Sequence, residues 1–180
     1  MIIVYTGSGK GKTSAAMGSA FRALGHGWRV LVIQFLKGDW PIVFGELESA
    51  RCHSKLEILQ LGKGFVKIMG DEKPLSEHRR AVKSAVSTAK KMIFSKKYDL
   101  VVLDEVLYAL DTGRARLLKL KDLFEVMNKK PEKTHLILTG RIQNSGMKKQ
   151  IIARADLVTE MKEIKHPYQK GIPALKGIDY

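Results

Sequence analysis

The chain has 180 residues, a formal net charge of +14 at pH 7, 44% hydrophobic residues and 28% charged ones. That length suits one domain with a proper core and no need of staples. The composition excludes a membrane-spanning protein, since no apolar run is long enough to cross a bilayer, and a disulfide-stapled one, since Cys52 is the single cysteine. Cys52 is expected as a small buried hydrophobe. A cytoplasmic location is expected, because the apolar run 1–5 leads straight into a functional loop and does not read as a removable signal.

That run is the first strand, continuous enough to be covered on both faces of a parallel sheet. It opens into Thr6-Gly7-Ser8-Gly9-Lys10-Gly11-Lys12-Thr13-Ser14, a glycine-rich turn that becomes a helix running from 12 to about 24. Glycines allow successive backbone N–H groups to turn toward one anion, and the helix's positive end adds its partial charge. Lys12 supplies a point charge and Thr13 a hydroxyl for Mg²⁺, so the expected ligand is a nucleoside triphosphate held by Gly7, Ser8, Gly9, Lys10, Gly11, Lys12, Thr13 and Ser14. The loop is shortened: Thr6 stands where the usual pattern has its first glycine, and Gly7 comes one residue late.

After a turn at Gly25-His26-Gly27, the run 29–35 is a second buried strand, completing a right-handed strand-helix-strand unit. Residues 36–40 leave the sheet's C-terminal edge, where open α/β sheets place ligands, and this puts Lys37, Gly38 and Trp40 near a site. A short helix is expected over 45–50 and a third strand over 56–61, followed by the glycine-rich loop Gly62-Lys63-Gly64-Phe65-Val66-Lys67. The helix predicted after Ser76 carries Arg80, Lys83 and Lys90 around an apolar stripe of Val82, Ala85, Val86, Ala89 and Met92. With only 7% aromatic residues, and none clustered, its basic side reads as a solvated face and not as a nucleic-acid groove.

The fourth strand ends in Asp104-Glu105, an arrangement that delivers carboxylates beside the phosphate loop to hold Mg²⁺ with Thr13. An acid at Glu105 also activates water in hydrolytic ATPases, so this residue alone does not choose the fate of ATP. A helix is predicted over 117–128 and a strand over 135–141 whose Arg141 reaches a phosphate as a fork. The last strand is expected over 155–161. The tail 162–180 is expected to dock through Ile164, Tyr168, Ile172 and Tyr180. The whole reads as one α/β domain, 1–180, with a mostly parallel sheet of about six strands and helices on both faces.

Several separate segments together resemble the ATP:corrinoid adenosyltransferases. They are the phosphate loop, Val32-Ile33-Gln34-Phe35-Leu36-Lys37-Gly38, Trp40-Pro41 with Gly45-Glu46, Val101-Val102-Leu103-Asp104-Glu105, Thr139-Gly140-Arg141, Ala155-Asp156, and Ile164-Lys165-His166-Pro167-Tyr168 with Gly177-Ile178-Asp179-Tyr180. The resemblance implies a RecA-like P-loop fold and transfer of the 5′-deoxyadenosyl group of ATP to cobalt of a Co(I) corrinoid, with release of triphosphate. It implies that the shortened loop holds ATP in a reversed sense, with the ribose C5′ open to attack. Catalytic roles then fall to Lys12, Phe65 and Glu105, and corrinoid contacts to Trp40, Phe65 and Lys67. Lys67 stands where the family has Trp, Ser8 where it has Asn and Leu175 where it has Gln. ATP and corrinoid are substrates and Mg²⁺ the cofactor.

No flavin or iron-sulfur signature is present, so the electron for Co(II) is expected from a partner such as an acidic flavoprotein reductase, attracted by the basic surface. A homodimer is compatible with the resemblance. Two other classes stay open on the residues alone. One is a RecA-like or nucleic-acid-binding ATPase, which the charge and Asp104-Glu105 allow. The other is a small-molecule kinase, which lacks an acceptor base beyond Glu105.

Overall fold

Short apolar runs without a polar face must be covered on both sides, and their order along the chain builds a single sheet. In the computed structural model, which describes every residue except Trp40, Pro41, Met69 and Arg114, six strands form it. These are β1 (Ile2–Thr6), β2 (Val30–Gln34), β3 (Leu56–Gln60), β4 (Leu100–Asp104), β5 (His135–Thr139) and β6 (Leu157–Glu160). The order is β3-β2-β4-β5-β1-β6 and every pairing is parallel. The central strands β2 and β4 are buried at all positions, whereas the edge strand β6 is exposed throughout.

The twofold alternation of strand side chains divides the core into two layers. Leu31, Ile33, Val101, Leu103, Leu136 and Leu138 point to one face, covered by α3 (Leu75–Phe94) and α5 (Leu120–Lys129). Val30, Val32, Val102 and Ile137 point to the other, covered by α1 (Lys12–Gly25). On α1 the buried residues after Lys12 are Ala16, Ala20 and Ala23, a stripe of small side chains that brings the helix close to the sheet. The helix is thereby fixed with its first turn at the strand ends. Helix α2 (Gly45–Ala50) closes one side of that edge.

Two helices arise that the periodicity did not signal. Helix α4 (Val106–Leu110) is apolar and continues the hydrophobic run of β4, so the pattern alone shows no boundary. Glu105 makes the boundary by adopting a left-handed conformation, φ 59°. Helix α6 (Ser145–Ile152) buries only Ile151, and its start is fixed by Asn144, whose side chain accepts the Met147 N–H. The helix expected over 117–128 begins three residues later, because Leu117 and Leu118 instead donate their N–H groups to Ala109 O.

Cys52 is exposed, contrary to expectation, because it lies in the turn after α2, a helix that buries none of its residues. In the tail, Ile164, Tyr168 and Ile172 are exposed, so they do not supply the apolar contacts expected of them, whereas Tyr180 is half-buried. The tail meets the phosphate loop instead through an ion pair of Asp179 with Lys10.

The C-terminal edge of the sheet is tightened by a close approach at Gly62. A Cβ there would lie 2.2 Å from Phe35 O and 2.5 Å from Leu36 Cα, both backbone atoms that cannot swing aside. Gly62→Ala is expected to lower stability by about 1–3 kcal/mol. Gly18→Ala, inside α1 with nothing within 4 Å of the new methyl, is expected to raise it by about 0.5–1 kcal/mol. Urea unfolding midpoints of the two variants check the contrast, and equal effects would contradict the packing described.

Candidate active site

The phosphate loop lies between β1 and α1, and its conformation depends on the chain that follows β6. Gly7 has φ 105°, and a Cβ on it would stand 2.2 Å from Met161 O, so both the backbone angle and the neighbour require glycine. Met161 N–H donates to Thr6 O and Gly9 N–H to Met161 O, each at 2.8 Å. The loop is thus held on one side by backbone pairing. Inside it Lys12, a residue only 6% exposed, donates its ammonium to Gly9 O at 2.7 Å and Gly7 O at 3.1 Å.

The acidic side of the site is built by β4. Asp104 is buried, and its Oδ1 accepts hydroxyl hydrogen bonds from Thr13 (2.8 Å) and Thr139 (2.7 Å). Thr139 Oγ1 also accepts the Glu105 N–H at 2.9 Å. A polar chain continues across β2: Gln60 donates to Gln34, and Gln34 donates to Glu46 Oε1 at 2.9 Å. That same oxygen accepts Lys37 at 3.0 Å. The first turn of α1, the ends of β2, β4 and β5, and the start of α2 are therefore joined through carboxylates.

Two cavities open onto this framework. The larger, ≈ 640 Å³, is walled by Thr13, Ser14, Met17, Lys37 and Glu46, and on the tail side by residues 177–180. The smaller, ≈ 330 Å³, is walled by Phe65, Ile68, Tyr108, Arg141, Glu163 and His166. Lys10, Lys12 and Glu105 line both, so the basic loop and the acid stand at the junction. In the smaller cavity Phe65 meets Tyr108 edge to face, with ring centroids 5.4 Å apart.

The family model described as ATP:corrinoid adenosyltransferase BtuR/CobO/CobP matches residues 1–180. The corrinoid adenosyltransferase of Escherichia coli (strain K12) is 37% identical over 180 residues, covering 100% of this chain and 85% of its own. The corrinoid adenosyltransferase CobA of Salmonella typhimurium is 36% identical with the same coverage. The chain belongs to the ATP:corrinoid adenosyltransferase family. A solved structure, the flagellar accessory protein FlaH from Methanocaldococcus jannaschii, superposes with a TM-score of 0.52 at 11% identity, over 88% of this chain and 69% of that one. That likeness concerns the fold alone, and it agrees with the RecA-like reading of the parallel sheet.

For this family member the structure brings Lys10, Lys12, Thr13, Asp104, Glu105, Phe65 and Arg141 to one place. Ser14 lies on the nucleotide-sized side, whereas the exposed Ser8 stands outside both walls. Lys67 also stands apart from them: its backbone N–H donates to Asp71 and its ammonium to Lys73 O. Trp40, the other expected corrinoid contact, lies outside the described residues.

Several wall residues carried no role in the sequence reading. Tyr108 follows Glu105 by three positions, one helical turn, a spacing that would have placed it beside the acid had α4 been recognised. Glu46 lies in the first turn of α2 and is joined to Lys37, and His166 and Asp179 sit in segments that signalled family without signalling chemistry.

Electrostatics distinguishes the groups at the junction. Lys12 is held below its ordinary range, chiefly by burial, with Glu105 pulling it back up and Arg141 adding to the depression. Glu105 is pushed up to about 7, first by burial and then by Asp104, against the opposing charges of Lys12, Lys37 and Arg141. Tyr108 is raised by burial and by Glu105.

Because the Glu105 carboxyl binds its proton more tightly folded than unfolded, its ionisation weakens the fold as pH rises from the ordinary carboxyl range through about 7. Glu105→Gln removes that loss. Without nucleotide or metal, the variant should exceed the wild type in stability above pH 7 by on the order of 3 kcal/mol. The difference should vanish near pH 4. Thermal unfolding across this range checks it, and a difference independent of pH would contradict the assignment.

Proposed function

We propose that this protein transfers the 5′-deoxyadenosyl group of ATP to the cobalt of a Co(I) corrinoid and releases triphosphate. Beyond family membership, the supporting observation is the junction. Lys10, Lys12 and Glu105 are shared by a cavity of nucleotide size and an aromatic-lined one, so a bond near the phosphates is approachable from the second cavity. The cobalt lone pair attacks C5′, the cobalt–carbon bond forms, and the C5′–oxygen bond breaks with its electron pair leaving on triphosphate. No side chain needs to remove a proton, and the absence of such a demand fits a loop built of cations and backbone N–H groups.

In this reading the phosphate loop from Gly7 to Ser14 cradles the triphosphate, and Lys12 and Arg141 stabilise the charge that gathers on it. Lys10 exchanges Asp179 for a phosphate. A corrinoid far exceeds 330 Å³, so it presents only one face of its macrocycle to Phe65 and Tyr108. Phe65 there helps displace the axial ligand, and Lys67 meets the macrocycle's polar periphery. Trp40 is retained as a contact.

The Thr13 hydroxyl and the Asp104 and Glu105 carboxylates form a hard-oxygen set, while no group of three or more His, Cys, Asp or Glu suited to a metal occurs among the described residues. That suits Mg²⁺, which takes few protein ligands and completes its shell with phosphate and water. Bound there, it would neutralise charge on the leaving triphosphate.

Among the described residues no helix is long and apolar enough to cross a membrane, and we place the reaction in the cytoplasm. An acidic flavoprotein reductase is the electron donor we expect for Co(II), drawn by the net charge of +14. A homodimer is proposed as well, with the uncovered edge strand β6 offering a pairing face.

Incubation with Mg-ATP and chemically reduced cobalamin should give a light-sensitive alkylcobalamin and an equivalent of triphosphate. ADP with orthophosphate would contradict the proposal. Lys12→Ala should lower the rate by about 10²-fold or more while leaving the circular dichroism spectrum unchanged. Turnover within a few-fold of wild type would show that Lys12 is misassigned.

A further inference from the structure

A second buried polar cluster lies outside both cavities, where residues 70–73 lead into α3. His78, on the first turns of α3, is 1% exposed, and its Nε2 stands 3.0 Å and 3.2 Å from the two carboxylate oxygens of Asp71. The same carboxylate accepts the N–H groups of Lys67 at 2.9 Å and Lys73 at 3.4 Å. Burial would raise the Asp71 carboxyl, but the Lys67 N–H, His78 and the Lys73 N–H together hold it below its usual range. Polar groups buried together in this way are held by geometry, because losing one partner leaves the others unsatisfied.

The consequence is local. Lys67 adopts a left-handed conformation, φ 56°, unfavourable for a residue with a side chain. Phe65, two residues before it, and Ile68, the next residue, both line the smaller cavity, while Val66 packs on the core. The N–H bond from Lys67 to Asp71, together with the Asp71 N–H bond to Ile68 O at 3.2 Å, thus holds the crest that presents Phe65 to Tyr108. His78, embedded in a helix whose Val82, Ala85 and Ala89 are sealed against the sheet, anchors that carboxylate to the rigid part of the molecule.

We infer that Asp71 and His78 are positioning residues that latch residues 64–68, so that Phe65 and Ile68 are presented to the corrinoid at the smaller cavity. The pair touches no substrate and acts through Phe65, and the inference rests on the corrinoid reading given above. With Nε2 protonated, the imidazole donates to Asp71. An amide donor at the same place can do so too, and this gives a conservative replacement.

Asp71→Ala and His78→Ala should each raise KM for reduced cobalamin by roughly tenfold, in line with the cost of misplacing a contacting group. KM for ATP should stay within about twofold. His78→Gln should restore most of the loss, and His78→Ala added to Phe65→Ala should bring little further change. Hydrogen–deuterium exchange of the wild type and variants, read without substrates, should show faster exchange confined to residues 65–68.

Equal rises in both KM values, full additivity with Phe65→Ala, or unchanged exchange at 65–68 would each overturn the latch. If the wild type forms no alkylcobalamin, the corrinoid reading fails, and with it the latch's role toward that substrate. The exchange result then still decides whether Asp71 and His78 hold the loop.

Discussion

The arrangement depends on one buried carboxylate. Asp104 sits at the end of the most enclosed part of the sheet and accepts hydroxyl groups from both Thr13 and Thr139. A charged group in such a place is tolerable only when its lone pairs are satisfied, and satisfying them forces three chain segments to end at one point. The first turn of α1 is drawn to β4, β5 is held level with it, and Thr139 in turn receives the Glu105 N–H. The positive loop and the acidic strand end are consequences of that convergence.

From it follows the electrostatic character of the site. Lys12 is buried with its ammonium on loop carbonyls, its proton loosened by desolvation, and Glu105 is raised toward neutrality beside it. Both departures come from placing charge where water is scarce, and both favour a polyanion, which would compensate Lys12 and leave the carboxylate's charge to be met by a cation. Cationic donors fixed in advance stabilise a leaving triphosphate without reorganising at the moment of bond cleavage. On the other side of the same residues lies an aromatic wall, near which a separate buried pair, Asp71 and His78, bonds the Lys67 N–H; in the proposed reading each substrate then answers to its own polar cluster.

Much of this was legible in the residues. The strands were readable as largely apolar runs bounded by turn residues, and the glycine-rich turn of Gly7 to Gly11 between β1 and α1 was readable from residue types alone. Asp104 was legible through its place at a strand end. Tyr108 was not, because α4 continues the apolar run of β4 and only the left-handed Glu105 divides them. His78 carried no role in the sequence reading; nothing in its spacing reveals that Asp71, seven residues earlier on the far side of Pro74, pairs with it. Tail residues misled for the opposite reason. Ile164 and Tyr168 are apolar enough to suggest a docked segment, yet they are 92% and 78% exposed, and the tail's contact with the loop is made by the charge of Asp179.

The central claim is one of direction: the triphosphate lies along the loop so that the sugar carbon, rather than the terminal phosphorus, faces the aromatic cavity. A crystal structure with Mg²⁺ and a non-reactive ATP analogue tests it directly. The account predicts C5′ at the junction of the two cavities, open toward Phe65 and Tyr108, with the phosphates beneath Lys12. A terminal phosphate pointing into the aromatic cavity, with the ribose sealed away from it, would contradict the account.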